Sequence, residues 1–221
     1  MSKYLTSLFI TLILASSIYG QFNGHSVFDS SYELSTTDEK LNMISFSSNL
    51  PLIFIETLET DSIYDEPKVP AHMGIVDNGP GQLNDFDDAY NGYDGLIAIE
   101  VRGASSQYFF PKKGYGFETQ DINGDNNNVS LLGMPAENDW IFHGPYADKS
   151  LIRNALVYHM GDLTGRYNPR TRFCELIING DYQGVYILTE RIKRDANRVD
   201  IATLKSEDIA GDELTGGYII Q

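Results

Sequence analysis

Four cationic side chains in the sequence have the chemistry to bind an anion together, and one glutamate could orient one of them. Arg102, Lys112 and Lys113 lie in the aromatic stretch VRGASSQYFFPKKGYGFET, and Arg153 and Glu190 follow later in the chain. A lysine ammonium is a compact charge with three donors, and an arginine guanidinium is a flat fork that matches two oxygens of a phosphate or carboxylate. If the fold brings the cations together, they can hold nucleotide phosphates, with Glu190 orienting one lysine through an ion pair. We therefore predict these five residues as cofactor-binding, whereas the spacing identifies no catalytic residue and no metal ligand.

The sequence lacks the standard signatures of several enzyme classes. It contains no Gly-x-x-x-x-Gly-Lys-Ser/Thr loop, no glycine-rich kinase loop followed by His-Arg-Asp, and no Gly-x-Ser-x-Gly elbow. Asp121, Asn123 and Asp125 match the first ligands of a calcium loop. Asn126 and Leu132, however, stand where that loop requires a glycine and a bidentate carboxylate. This segment is therefore predicted to be a polar turn.

Charge is distributed unevenly along the chain. The formal net charge is −15, which argues against nucleic acid as a partner, because such binding depends on Lys and Arg neutralising phosphates. Between Arg102 and Arg198, however, 12 of the 16 Lys and Arg residues stand against 11 of the 31 Asp and Glu residues. Any anion site is therefore expected within this segment.

The N-terminal residues have the layout of a secretory signal peptide. Residues 1–20 contain an early cation, Lys3, then an apolar run and small residues. The run is short for a membrane-spanning helix, although an N-terminal membrane anchor is the alternative. The polar residues 21–48 are predicted to be a linker. We expect a secreted or cell-surface protein without membrane contact after signal removal. The one cysteine, Cys174, lies in a strand-like run and is predicted to be a buried, inert thiol.

Runs rich in β-forming residues predict the strands that must position these side chains. NLPLIFIET, LIAIEVRG and KGYGFETQ each predict a strand, and the last two are expected to pair. RFCELIINGDYQGVYILTER predicts a hairpin that turns at Asn179-Gly180 and places Glu190 at the end of its second strand. The basic run RIKR and Arg198 follow it, and they are interpreted equally well as a solvated face or as part of a site.

The stretch DKSLIRNALVYHMGDLTG predicts the clearest helix. Asp148 is a suitable N-cap, and Gly165 is placed to end the helix. Apolar residues at three- and four-residue spacing predict one buried face, which comprises Leu151, Ile152, Ala155, Leu156, His159 and Leu163. Arg153 lies off this face and is expected to point into a cleft or into solvent.

Three blocks of sequence resemble the CotH family of atypical kinases, first associated with spore coats. They are IEVRGASSQYFFPKKGYGFET, LLGMPAENDWIFHGPYADKSLIRNALVYHM and RTRFCELIINGDYQGVYILTERIKRDANRVDI, in the family's order within residues 50–221. The resemblance implies a kinase-like protein that binds ATP with Mg²⁺ or Mn²⁺ and phosphorylates Ser or Thr of extracellular or coat proteins. It also implies that Lys113 is the phosphate-contacting lysine and that Arg102 and Arg153 support it. Glu190 resembles the acid at the end of the hairpin strand.

The sequence departs from the family pattern after the hairpin. The Asn-x-Asp-like and Trp-Asp-x-Asp-like segments, where the family's metal-binding and catalytic acids are expected, do not occur. Phosphoryl transfer depends on such groups. Because the chain also ends in the apolar segment GGYIIQ, we expect residues 49–221 to be the N-terminal part of a CotH kinase-like domain whose C-terminal part is missing. This part is predicted to be inactive by itself.

Two expectations about the whole molecule follow. The predicted fold class is α+β, a mostly antiparallel sheet with a packed helix, like an atypical protein kinase and incomplete. The predicted function is that of an exported CotH-like kinase. The alternative is a non-catalytic extracellular binding or adhesion module, or a structural coat protein, that contacts glycans or proteins.

Overall fold

The computed structural model describes residues 46–212, 214, 217 and 219, and β-strands dominate it. The strands are β1 Ser47–Ser48, β2 Leu52–Thr57, β3 Val69–Val76, β4 Asn84–Asp85, β5 Tyr93–Arg102, β6 Gly114–Gln120, β7 Asp139–His143, β8 Thr171–Ile178 and β9 Asp181–Glu190. The described helices are α1 Ser105–Phe109 and α2 Arg153–Asp162. β1 and β4 form a separate two-stranded sheet, and the remaining strands close into a barrel.

The barrel closes in the strand order β2-β3-β5-β6-β7-β9-β8. Neighbouring strands are antiparallel except β2 and β8, which pair in parallel from Leu52 opposite Glu175 to Ile55 opposite Ile178. The predicted fold class, an α+β kinase-like sheet with a packed helix, is therefore wrong. The sequence marks the hairpins, but the closing pair joins strands that are far apart in the chain and share no turn.

The interior of the barrel holds the main hydrophobic core. On β2, Ile53 and Ile55 belong to this core, whereas Leu52 and Phe54 pack in a second cluster on the outside. Both faces of β2 are therefore buried, which explains the continuous apolar run that predicted this strand. Cys174 is fully buried in the interior, so the prediction of a buried thiol is confirmed, and burial raises the pKa of this thiol to about 12.

Helix α2 lies on the outside of the barrel and does not bury the predicted face. Ile152, Leu156 and Leu163 are 48%, 49% and 73% exposed, and α2 has no buried residue. The partly buried side runs instead through Ala155, Tyr158 and Gly161. A Cβ at Gly161 would lie 2.4 Å from Asn168 Oδ1, so this glycine permits a close approach. The small residue, rather than the apolar stripe, thus marks the packed side of the helix.

The hairpin prediction is confirmed. β8 and β9 pair antiparallel around Asn179 and Gly180, which have φ values of 50° and 80°. Positive φ at both positions suits a tight turn between right-handedly twisted strands. The predicted pairing of LIAIEVRG with KGYGFETQ is also observed, as β5 and β6.

The predicted signal peptide, residues 1–20, and most of the predicted linker, residues 21–48, lie outside the described residues. The described end of that linker contains β1, which pairs with β4. No helix in the described part of the chain has the length and apolar composition needed to cross a membrane.

A candidate anion-binding cleft

A cleft lies between α2 and the outer face of β7, β8 and β9. Ile141, Thr189 and Thr171 lie side by side across these strands and line it, and Tyr158 of α2 lines it as well. The cleft consists of two adjoining pockets of about 510 and 380 Å³. Four residues line both pockets: Arg102, Ile141, His143 and Asn154. Each volume lies within the range of small-molecule sites, which is roughly 300–1,000 Å³.

Arg102 is the last residue of β5 and extends over the glycines of β6. A Cβ at Gly114 would lie 3.6 Å from Arg102 Cγ, and a Cβ at Gly116 would lie 3.9 Å from its Cδ. Its guanidinium forms no hydrogen bond or salt bridge with any other residue that the structure describes. Burial and the charge of Arg191 lower the pKa of Arg102, while Tyr158 and Glu100 act to raise it. Arg102 therefore presents an uncommitted charge to the cleft.

His143 ends β7 and lies beside Arg102. Burial lowers the pKa of its imidazole, and Arg102 and Lys112 lower it as well, whereas Asp148 opposes them. The ring is therefore neutral near pH 7 and can donate one hydrogen bond and accept another. Sequence reasoning missed this residue, although its outward position at the end of the apolar strand DWIFH was a usable signal.

Lys112 lines the smaller pocket, but its ammonium is already engaged. Its Nζ donates a hydrogen bond of 2.7 Å to the Val185 carbonyl and lies 4.3 Å from the centre of the Tyr186 ring. Burial lowers the pKa of Lys112, while the charge of Glu175 opposes this change. An ammonium has three donors, so Lys112 keeps capacity for a further acceptor.

Lys113 is directed at the segment that contains α1. Its Nζ donates hydrogen bonds of 2.6 and 2.8 Å to the carbonyl oxygens of Gln107 and Phe110. It is not among the residues that line either described pocket of the cleft. The role of Lys113 as a phosphate contact stays a prediction, and the observed contacts fix the chain between Arg102 and β6.

Glu190 lies at the end of β9 and lines the larger pocket, but it does not pair with a lysine. Its side chain is fully buried, and Oε1 accepts a hydrogen bond of 2.6 Å from Arg170 Nη1. Oε2 accepts from the Arg170 backbone N–H at 3.0 Å and from the Tyr167 hydroxyl at 3.2 Å. Among the described residues, its one ion-pair partner is Arg170. The structure thus shows Glu190 as an anchor for the chain that enters β8.

Arg153 begins α2 and lies outside the lining of both cleft pockets that the structure describes. Its side chain is 75% exposed, and its Nε lies 3.4 Å from Asp148 Oδ1. Asp148 Oδ2 also accepts a hydrogen bond of 2.8 Å from the Arg153 backbone N–H. The N-cap of α2 is Ile152, so the prediction of Asp148 as the N-cap is wrong, although Asp148 still accepts a hydrogen bond from the first N–H of the helix.

Of the five predicted residues, Arg102, Lys112 and Glu190 line the cleft, and Lys113 and Arg153 do not. Arg191 also lines the cleft. The sequence did not decide whether this residue belongs to a solvated face or to a site. The residues that the structure describes contain no group of three His, Cys, Asp or Glu side chains that could hold a metal ion. Asp121 accepts hydrogen bonds from the backbone N–H groups of Asn123 and Asp125, as expected of a polar turn.

Part of the sequence matches a known protein family. Residues 99–218 match the family described as CotH kinase protein. This region starts within β5 and includes all five predicted binding residues and the cleft cations. A search of curated proteins found no match. The match to the CotH kinase family points to nucleotide and metal use in general. Because the family match covers more than half of the sequence, the chain belongs to the CotH kinase family.

Proposed function

We propose that the cleft binds the phosphate groups of ATP and that the protein serves a CotH-type kinase reaction. The acceptors would be Ser or Thr hydroxyls of extracellular or coat proteins. The single observation that supports this proposal most is Arg102, whose guanidinium has no ion-pair partner among the described residues. Arg102 is exposed, so its guanidinium is open to a ligand, and a planar fork of this kind binds phosphate oxygens through charge-assisted hydrogen bonds.

The shape and donors of the cleft fit a triphosphate. Arg102 offers a bidentate fork, His143 a hydrogen-bond donor, and Asn154 an amide, all at the junction of the two pockets. The apolar side chains of Ile141 and Ile187 in the larger pocket suit the less polar part of a nucleotide. These features support a ligand with one anionic and one apolar end.

The metal ion expected with ATP does not fit the described residues in the same way. Mg²⁺ and Mn²⁺ prefer oxygen ligands, usually carboxylates together with phosphates. Glu190 already accepts hydrogen bonds from Arg170 and Tyr167, and the described residues contain no group of three His, Cys, Asp or Glu side chains that could hold a metal ion. We therefore assign no residue to the metal and no step of phosphoryl transfer to it.

The cellular setting is proposed from sequence. The apolar N-terminal run and the small residues after it support export, and thus a secreted or cell-surface location. The net charge of −15 favours protein or glycan partners over nucleic acid.

Isothermal titration of the purified chain with ATP, adenosine and inorganic triphosphate tests the proposal. We expect ATP and triphosphate to bind and adenosine to bind weakly. Arg102→Ala removes a charge-assisted hydrogen bond worth about 1.5–3 kcal/mol, which corresponds to a roughly 10- to 100-fold weaker Kd. Arg166→Ala is the matched control, since Arg166 is exposed and lies outside the cleft.

Absence of ATP binding to the wild-type chain at millimolar concentration would refute the proposal. Equal affinities of the Arg102 and Arg166 variants would remove its structural basis. Either result would favour the alternative of a non-catalytic binding module.

A further inference from the structure

We propose that Arg191 is a second anion-contacting residue of the cleft and that the buried Arg198 positions it. The inference rests on the proposed function, because the anion is taken to be the phosphate chain of the nucleotide. It concerns the segment directly after β9. From the sequence, the basic residues of this segment could equally well form a solvated face or part of a binding site.

Arg191 follows Glu190 and lines the larger pocket. Its side chain is 49% exposed, and its Nη1 lies 3.3 Å from Asp139 Oδ1, a long contact that leaves most of its donors unused. It lies near enough to Arg102 for its charge to act on that guanidinium. Two arginines that repel each other across a cleft are both stabilised when an anion enters between them.

The charges around Asp139 do not balance. Lys193 pairs with Asp139 and lies 3.0 Å from Glu137 Oε2, and Arg198 Nη1 lies 2.9 Å from the same oxygen. Arg191 is the third cation beside these two carboxylates. Side-chain exposure is 33% for Lys193 and 1% for Arg198, so Arg191 is the most exposed of the three. Arg191 is therefore the cation that an incoming anion can recruit.

Arg198 holds the main chain of Arg191 in place. Its Nη1 donates a hydrogen bond of 2.9 Å to the Arg191 carbonyl oxygen. Its guanidinium lies 5.2 Å from the centre of the Trp140 ring, and Trp140 is fully buried in the barrel core. The same Nη1 also lies 2.9 Å from Glu137 Oε2, so one nitrogen of Arg198 contacts both this carboxylate and the Arg191 main chain. Arg198 therefore links the rigid barrel to the position from which Arg191 enters the cleft.

Calorimetric titration with two probes, ATP and inorganic triphosphate, tests the contact. Arg191→Ala should weaken both affinities about tenfold or more, and Arg191→Lys should recover only part of the loss, because the fork is absent. Arg194→Ala is the matched control, since Arg194 lies on the same segment, is exposed and donates to Thr203 Oγ1. It should change either affinity less than twofold.

A double-mutant cycle tests the positioning role. Arg198→Met should weaken triphosphate binding in the wild-type background but not in the Arg191→Ala background, because Arg198 acts through Arg191. A purely structural loss would weaken binding equally in both backgrounds, which would overturn the positioning role. If the Met variant does not fold, Arg198→Lys replaces it, with the same two outcomes.

The outcomes separate the inference from the proposed function. If the wild-type chain binds both probes, and the Arg191→Ala and Arg194→Ala variants bind them with equal affinity, only the inference about Arg191 is overturned. Arg191-dependent binding of triphosphate without binding of ATP would overturn the nucleotide function and leave the anion site. Binding of neither probe by the wild-type chain would overturn both.

Discussion

Replacing Glu190 by Gln tests whether this carboxylate anchors the fold or orients a lysine. The side chain is fully buried and accepts three hydrogen bonds, two of them from Arg170. Breaking a buried ion pair typically costs about 3–5 kcal/mol. Because Arg170 is 41% exposed and can be solvated again, we reduce the expected loss to about 2–3 kcal/mol. Thermal unfolding should then shift downward by roughly 5–10 °C for a chain of this size.

A double-mutant cycle identifies the partner of Glu190. Urea unfolding of the Glu190→Gln and Arg170→Ala variants and of their combination should give a coupling of at least about 1 kcal/mol. The same cycle with Lys113→Ala should give less than about 0.5 kcal/mol, since Lys113 donates to Gln107 and Phe110. Stronger coupling to Lys113 than to Arg170 would refute this account and restore the lysine-orienting role predicted from sequence.

Four further predictions concern the cleft and the core. Sulfate affinity, measured by calorimetry, should rise as the pH falls below 6.5. The reason is that a sulfate bound beside Arg102 raises the lowered pKa of His143, so that binding takes up a proton. The His143→Gln variant should not show this rise. Without an anion, stability should fall over the same pH range, since the unfolded chain binds that proton more readily. Phe142→Ala should cost about 3–5 kcal/mol in urea unfolding, because Phe142 is fully buried and stacks on Phe117 at 4.6 Å. Gly144→Ala should cost about 1–3 kcal/mol, since its Cβ would lie 2.6 Å from a backbone oxygen.

Local elements of the fold were predictable because their signals are local. Asn179-Gly180 requires nothing beyond neighbouring residues to form a hairpin turn, and the apolar run of β2 forms a strand wherever it is buried. Closure of the barrel was not predictable, since it depends on β2 meeting β8 in parallel. The packed side of α2 was also misjudged, because apolar spacing alone does not show that Ile152 and Leu156 remain exposed.

The candidate site was predicted in part for the same reason. Arg102 and Glu190 could be singled out as charges at the ends of predicted strands. Which charges neutralise each other is a matter of tertiary structure, and the sequence contains no signal that Glu190 pairs with Arg170. His143 and Arg191 join the cleft through the register of β7 and β9, in which His143 lies opposite Ile187.

A crystal structure of the chain with a slowly hydrolysed ATP analogue tests the central claim most directly. We predict difference density for the phosphate groups in the cleft, within hydrogen-bond distance of the Arg102 guanidinium and beside His143 and Arg191. Phosphate density elsewhere on the barrel, or an empty cleft at a saturating concentration of the analogue, would contradict the claim.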